Sequence, residues 1–95
     1  MAYQIRFSES GRTSFNRLDN SIKLRIQKYL KEVTDLENPR ARGEPLTSNL
    51  SEHWRYRIGD YRIIVEIKDD ELIIFIVNIA HRSKVYKETD KKLNK

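Results

Sequence analysis

The stretch His53-Trp54-Arg55-Tyr56-Arg57-Ile58-Gly59-Asp60-Tyr61-Arg62 constrains the fold more than any other part of this chain. Successive side chains of a β-strand point to opposite faces of a sheet. His53, Arg55 and Arg57 therefore share one face, and Trp54, Tyr56 and Ile58 share the other. Gly59-Asp60, with glycine at the first central position, suits a two-residue type II′ hairpin turn. The chain must then fold back on itself and bring Arg62 close to Arg55 and Arg57. Cationic groups in a row on one face repel each other unless an anion compensates, and phosphate is the obvious candidate.

The residues that follow extend the hairpin into a meander. Tyr61, Ile63, Val65 and Ile67 form an apolar side, opposed by Arg62, Ile64, Glu66 and Lys68. Asp69-Asp70 makes the next tight connection. Leu72 to Ala80 is apolar on both faces apart from Asn78, the pattern expected of a central strand. His81-Arg82-Ser83-Lys84-Val85-Tyr86 comes straight off its end, and a short charged tail closes the chain.

Upstream, Tyr3 to Phe7 alternates as a short strand. Ser8 or Ser10 can cap a first helix marked by Phe15 and Leu18. Asp19 or Asn20 can cap a second, where Ile22, Ile26, Tyr29, Leu30, Val33 and Leu36 fall at helical spacing. The outer face of that helix carries Lys23, Arg25, Lys28 and Lys31, by default a solvated surface. Residues 38–51 hold Pro39, Gly43 and Pro45 together with Arg40 and Arg42, and read as a connecting loop or a basic arm. The expected architecture is α+β: strand, helix, helix, a three-stranded antiparallel meander, then a C-terminal turn or short helix. Helices on one face of the sheet leave the other partly open. No repeat or linker divides residues 1–95, so a single domain is expected.

Composition narrows the partners. Nineteen Lys and Arg against fourteen Asp and Glu give a net charge of +5. That balance favours nucleic acid or an acidic partner protein. No apolar run reaches the ~18–20 residues of a spanning helix and no signal peptide precedes the first strand, so a membrane role is not expected. The absence of cysteine excludes disulfides and thiolate zinc sites and suits a cytoplasmic protein.

Arg55, Arg57 and Arg62 gather at the hairpin. Arg82 and Tyr86 lie four residues apart, so one helical turn would put both on one side, with His81 alongside. Guanidiniums bind phosphate in bidentate fashion and stabilise charge on a phosphorane-like transition state. The plainer alternative is a salt-bridged surface, for which Glu66 and Asp60 are the available partners.

The run from Asn38-Pro39-Arg40 through Trp54-Arg55-Tyr56-Arg57-Ile58-Gly59-Asp60-Tyr61-Arg62 to His81-Arg82-Ser83-Lys84-Val85-Tyr86 resembles the RelE/ParE superfamily of toxin–antitoxin toxins, the RelE branch more than the ParE branch. The resemblance spans nearly the whole chain. It implies a domain of the microbial RNase type without a cofactor, acting as an endoribonuclease that enters the ribosomal A site and cuts the mRNA codon there. The ribose 2′-OH attacks the adjacent phosphate and leaves a 2′,3′-cyclic end. It implies as partners the ribosome with its mRNA and ribosomal RNA, and an acidic RelB-like antitoxin that covers the cationic site.

Carried over by residue, Arg62 matches the arginine on the scissile phosphate, Arg82 the one that stabilises the leaving group, and Tyr86 the tyrosine that orients the nucleotide. His53, Arg55, Arg40, Arg42 and Lys84 are expected RNA contacts. Arg55 and Arg57 stand where the best-known RelE members have lysines, and an arginine effectively never gives up its proton. Arg57 can therefore hold charge but not act as base. His81, with an ordinary pKa near neutrality, is the expected proton-transfer group, with Tyr86 or His53 as counterpart. The alternative is a proton taken by solvent or ribosomal RNA. Two further readings compete: a ParE-type gyrase poison on the same fold, and a non-catalytic RNA- or protein-binding member.

Overall fold

The computed structural model describes residues 3–46 and 53–81. The order of elements is β1 (Gln4–Phe7), α1 (Glu9–Asn16), α2 (Asn20–Asp35), a 3-10 turn at Pro39–Ala41, β2 (Glu44–Pro45), β3 (His53–Ile58), β4 (Tyr61–Lys68) and β5 (Ile73–His81). This is the expected α+β arrangement with one addition. Of the expected loop at 38–51, the described residues 38–46 are more than a loop, because Glu44-Pro45 adds a short antiparallel edge strand to β3. The anticipated C-terminal turn or helix lies outside the described residues.

The sheet runs β1-β5-β4-β3-β2. β3, β4 and β5 form the antiparallel meander, and β1 pairs parallel to β5. β4, not β5, is thus the middle strand. β5 is flanked on both sides, by β4 and by β1 followed by α1. Of its two apolar faces, the one with Ile74, Ile76 and Ile79 is buried, while Ile73, Phe75 and Val77 are only partly so. Where β1 ends, α1 takes over the edge of β5. The Ser8 amide donates to the Ile76 carbonyl at 2.9 Å, Ser10 Oγ donates to the Val77 carbonyl at 2.9 Å, and Ser14 Oγ bonds Asn78 Oδ1 at 2.9 Å. Asn78, the polar exception in the strand, is paired by that helix.

α1 begins at an N-cap Ser8 whose hydroxyl accepts from the Gly11 amide. α2 begins at Asp19, whose side chain makes no capping bond. Its stability comes from packing: Ile26, Leu30 and Val33 are buried against Tyr56, Ile58, Ile63, Val65, Ile67, Ile74, Ile76 and Ile79. These sheet residues alternate except at the register shift between Ile64 and Val65, which sets Ile79 three residues after Ile76, so the helices cover one face and the side of Arg55, Arg57 and Arg62 stays open. Between β3 and β4, Gly59 has φ +58 while Asp60 keeps a negative φ, as a type II′ turn demands. Among the described residues no helix is long and apolar enough to cross a membrane.

Candidate functional site

The hairpin fixes the site. Arg57 and Arg62 are direct partners in the β3–β4 register, and Arg62 in turn stands opposite Ala80 of β5. Directly opposed residues share a face, so the two arginines rise from neighbouring positions on one side of the sheet, with only a methyl group on the next strand. Arg55, two residues before Arg57, joins them on the same side. His53 lies on this face too, opposite Glu66, but four residues from Arg57, ~13 Å along the strand.

The compensating carboxylate is neither Glu66 nor Asp60. Glu44 of β2 reaches across, its Oε1 2.6 Å from Arg57 Nη2 and 3.0 Å from Arg55 Nη2. Glu66 sits 3.7 Å from Lys68 instead. Burial pushes the Glu44 pKa up, but the positive charges of Arg55 and Arg57 outweigh it and hold the carboxyl below its ordinary value. Arg62 has no carboxylate within ion-pair distance among the described residues. Its one hydrogen bond there is a long one of 3.4 Å to the carbonyl of Tyr61.

His81 does not stand alongside these arginines. It is the register partner of Tyr61 and meets that ring edge-on, centroids 5.4 Å apart. Tyr61 packs against the core, so His81 belongs to the helix-covered face, one residue out of phase with Ala80 and Arg62. Strand alternation explains the discrepancy: β5 runs through His81, and the sequence had been divided at Ala80.

Arg40 and Arg42 are also placed elsewhere. Arg40 makes two 3.0 Å bonds to the carboxylate of Asp69, which also accepts from Tyr3 at 2.7 Å. This cluster ties the 3-10 turn to the far end of β4, roughly 20 Å from Arg62 at 3.3 Å per residue. Arg42 bonds Glu32 of α2 at 2.8 Å and lies over the ring of Tyr29 at 5.4 Å. Both tie their segment to the fold through these carboxylates. Arg82, Lys84 and Tyr86 lie outside the described residues.

One cation expected on the solvated face of α2 is placed at the hairpin end of the sheet instead. Arg25 of α2 extends over the hairpin turn, with Nη2 3.2 Å from where a β-carbon on Gly59 would sit. It is thus part of the same end of the molecule as Arg57 and Arg62. Its helical periodicity carries no sign of this, because the contact depends on how α2 packs on the sheet.

Comparison with known proteins supplies the frame for this arrangement. Residues 5–86 match the family model described as ParE toxin of type II toxin-antitoxin system, parDE. Toxin RelG of Mycobacterium tuberculosis is 27% identical over 87 residues, covering 92% of this chain and 99% of that protein. The toxin–antitoxin complex RelBE2 of M. tuberculosis superposes with a TM-score of 0.75 at 24% identity, over 87% of this chain and 94% of that one. The isolated E. coli RelE toxin superposes with a TM-score of 0.72 at 22% identity, over 97% and 99%. An α+β domain presenting an open arginine face on that fold, with a family match across most of its length, places the chain in the RelE/ParE superfamily of type II toxin–antitoxin toxins.

Proposed function

We propose that this toxin is a ribosome-dependent mRNA endoribonuclease that cuts A-site codons and is neutralised by an acidic, RelB-like antitoxin. The observation that carries the reading is the Arg57–Arg62 pair: two arginines in direct register on an open sheet face, Arg62 without a carboxylate among the described residues. Like charges placed directly opposite repel, and a phosphodiester between them turns that repulsion into attraction. As the 2′-OH attacks, negative charge builds on the non-bridging oxygens, where fixed guanidiniums stabilise it most.

The protein contributes positioning and charge in this mechanism. Arginine cannot serve as base, and His81 belongs to the other face, so the 2′-proton passes to solvent or ribosomal RNA. Arg82 and Tyr86 are assigned leaving-group stabilisation and nucleotide orientation on the resemblance alone. The antitoxin is assigned by analogy with the RelB partners named for solved relatives. An acidic chain would compete with RNA for the same face.

Primer extension on mRNA with purified toxin, with and without ribosomes holding an empty A site, tests the reading. Cuts inside the A-site codon only with ribosomes support it. A second reading follows from the family match being named for ParE: a gyrase poison using the same basic surface. No cleavage, combined with loss of gyrase supercoiling activity, would replace the first reading with the second.

A further inference from the structure

We propose that Glu44 is an internal counter-anion that gates the arginine face, holding Arg57 until an RNA phosphate takes its place and so limiting the grip on the RNA backbone. The inference rests on the RNA reading above and deepens it.

Glu44 is held by contacts independent of its ion pairs. Trp54 Nε1 donates to the Arg42 carbonyl at 2.6 Å and Tyr56 Oη to the Pro39 carbonyl at 2.6 Å, so two β3 side chains grip the segment on its N-terminal side. Gly43 follows with φ +81, pressed against β3 so closely that a β-carbon would collide with the Arg55 carbonyl oxygen and lie 2.7 Å from Trp54 Nε1. Glu44 then pairs with Arg55 in register.

The carboxylate is a poor match for what it holds. A single oxygen, Oε1, is shared by two guanidiniums and shielded from solvent, yet it lies in line with neither set of N–H bonds. Arg55 Nε is likewise buried without a hydrogen-bond partner among the described residues. A guanidinium is best satisfied by two oxygens at once, and a phosphodiester brings more oxygens than Glu44 commits. The two arginines differ in freedom. Arg55 is 22% exposed, whereas Arg57 is 54% exposed. Exposed ion pairs are held weakly, so Arg57 is the arm that exchanges Glu44 for a phosphate beside Arg62. The freed carboxylate then remains next to the RNA, repels it and retains a counter-cation.

The test is fluorescence anisotropy with a 2′-O-methyl single-stranded oligoribonucleotide, which cannot be cut, across a range of KCl concentrations. Wild type is compared with Glu44→Gln and with Glu71→Gln, which carries the same net charge but is changed in the β4–β5 turn. Glu44→Gln is expected to bind about 3–10-fold tighter near 0.1 M salt. Its plot of log K against log salt should be steeper by about 0.7, the scale of one unit charge on a single strand, because the freed wild-type carboxylate retains a cation that the variant does not. Glu71→Gln should track wild type. Should Glu44→Gln fail to fold by circular dichroism, Glu44→Asp, one methylene shorter and withdrawn from Arg57, should shift binding in the same direction. Equal or weaker binding by the Glu44 variants, a matching shift in Glu71→Gln, or no binding by any protein overturns the gate. Uncut A-site mRNA would sink the nuclease reading while leaving a changed salt slope intact. Equal slopes with mRNA cut would sink the gate alone.

Discussion

Arg57 and Arg62 face each other directly across β3 and β4, yet among the described residues only Arg57 has a carboxylate within reach. Opposed like charges cost roughly 0.2–1 kcal/mol in a sheet, so the pair is a local strain in the free protein and an asset once a phosphate lies between. Replacing Arg62 should therefore separate activity from stability. Arg62→Ala is expected to lower single-turnover cleavage on programmed ribosomes by about 10²–10³-fold, the scale of one lost transition-state donor. Its urea midpoint should equal or exceed that of wild type. A variant that lost activity and stability together would show that Arg62 is part of the scaffold.

His81 tests the division of labour between the two faces. A general base or acid contributes typically 10²–10⁴-fold, and a group edge-on to Tyr61 on the helix-covered side is not positioned to do so. His81→Ala should retain single-turnover cleavage to within about tenfold of wild type, well short of that range. A collapse of a hundredfold or more would restore His81 as a proton carrier.

How far the sequence reached can be traced through these two residues. Arg57 and Arg62 were legible because a glycine in a two-residue turn fixes register, and register fixes which side chains meet. His81 was misplaced because its face depends on where β5 stops, and strand ends carry little local signal. The partner of Arg55 and Arg57 was missed for a related reason. Glu44 acts through β2, a two-residue strand with no periodicity of its own, positioned by Trp54 and Tyr56 hydrogen bonds that only the folded chain reveals. Arg25 over Gly59 and Arg40 on Asp69 likewise depend on tertiary packing. The helices and the meander, by contrast, follow from apolar spacing together with cap and turn residues.

Tyr56 is the pivot of that packing. Its ring is fully buried and its hydroxyl donates to the Pro39 carbonyl at 2.6 Å. Burial, aided by Tyr29, raises its pKa well beyond the ordinary phenol value, so it remains a donor at any physiological pH. Tyr56→Phe keeps the ring but leaves the Pro39 carbonyl without that donor, and should cost about 1–3 kcal/mol in chemical denaturation. Because the same bond anchors the segment that carries Glu44, the variant should also shift RNA affinity in the direction of Glu44→Gln. Unchanged stability would mean that water replaces the phenol at Pro39.

Asp69 provides the pH dependence. The hydrogen bonds from Arg40 and then from Tyr3 hold its folded pKa below the ordinary carboxylate value. A carboxyl depressed in this way stabilises the fold above its unfolded pKa, and the contribution disappears as pH falls through the folded one. The site is half-exposed, with the Asp69 side chain 53% accessible, so solvent screening keeps the effect to roughly 1 kcal/mol or less. Asp69→Asn should therefore be less stable than wild type at pH 7, by a margin that begins to narrow below about pH 4 and closes in stronger acid. Added salt should shrink the gap at neutral pH. Urea denaturation of both proteins from pH 7 to about pH 2 reads this directly. A gap that stayed constant over that range would mean that Asp69 contributes through shape and not through charge, and that Arg40 is held in place by the 3-10 turn alone.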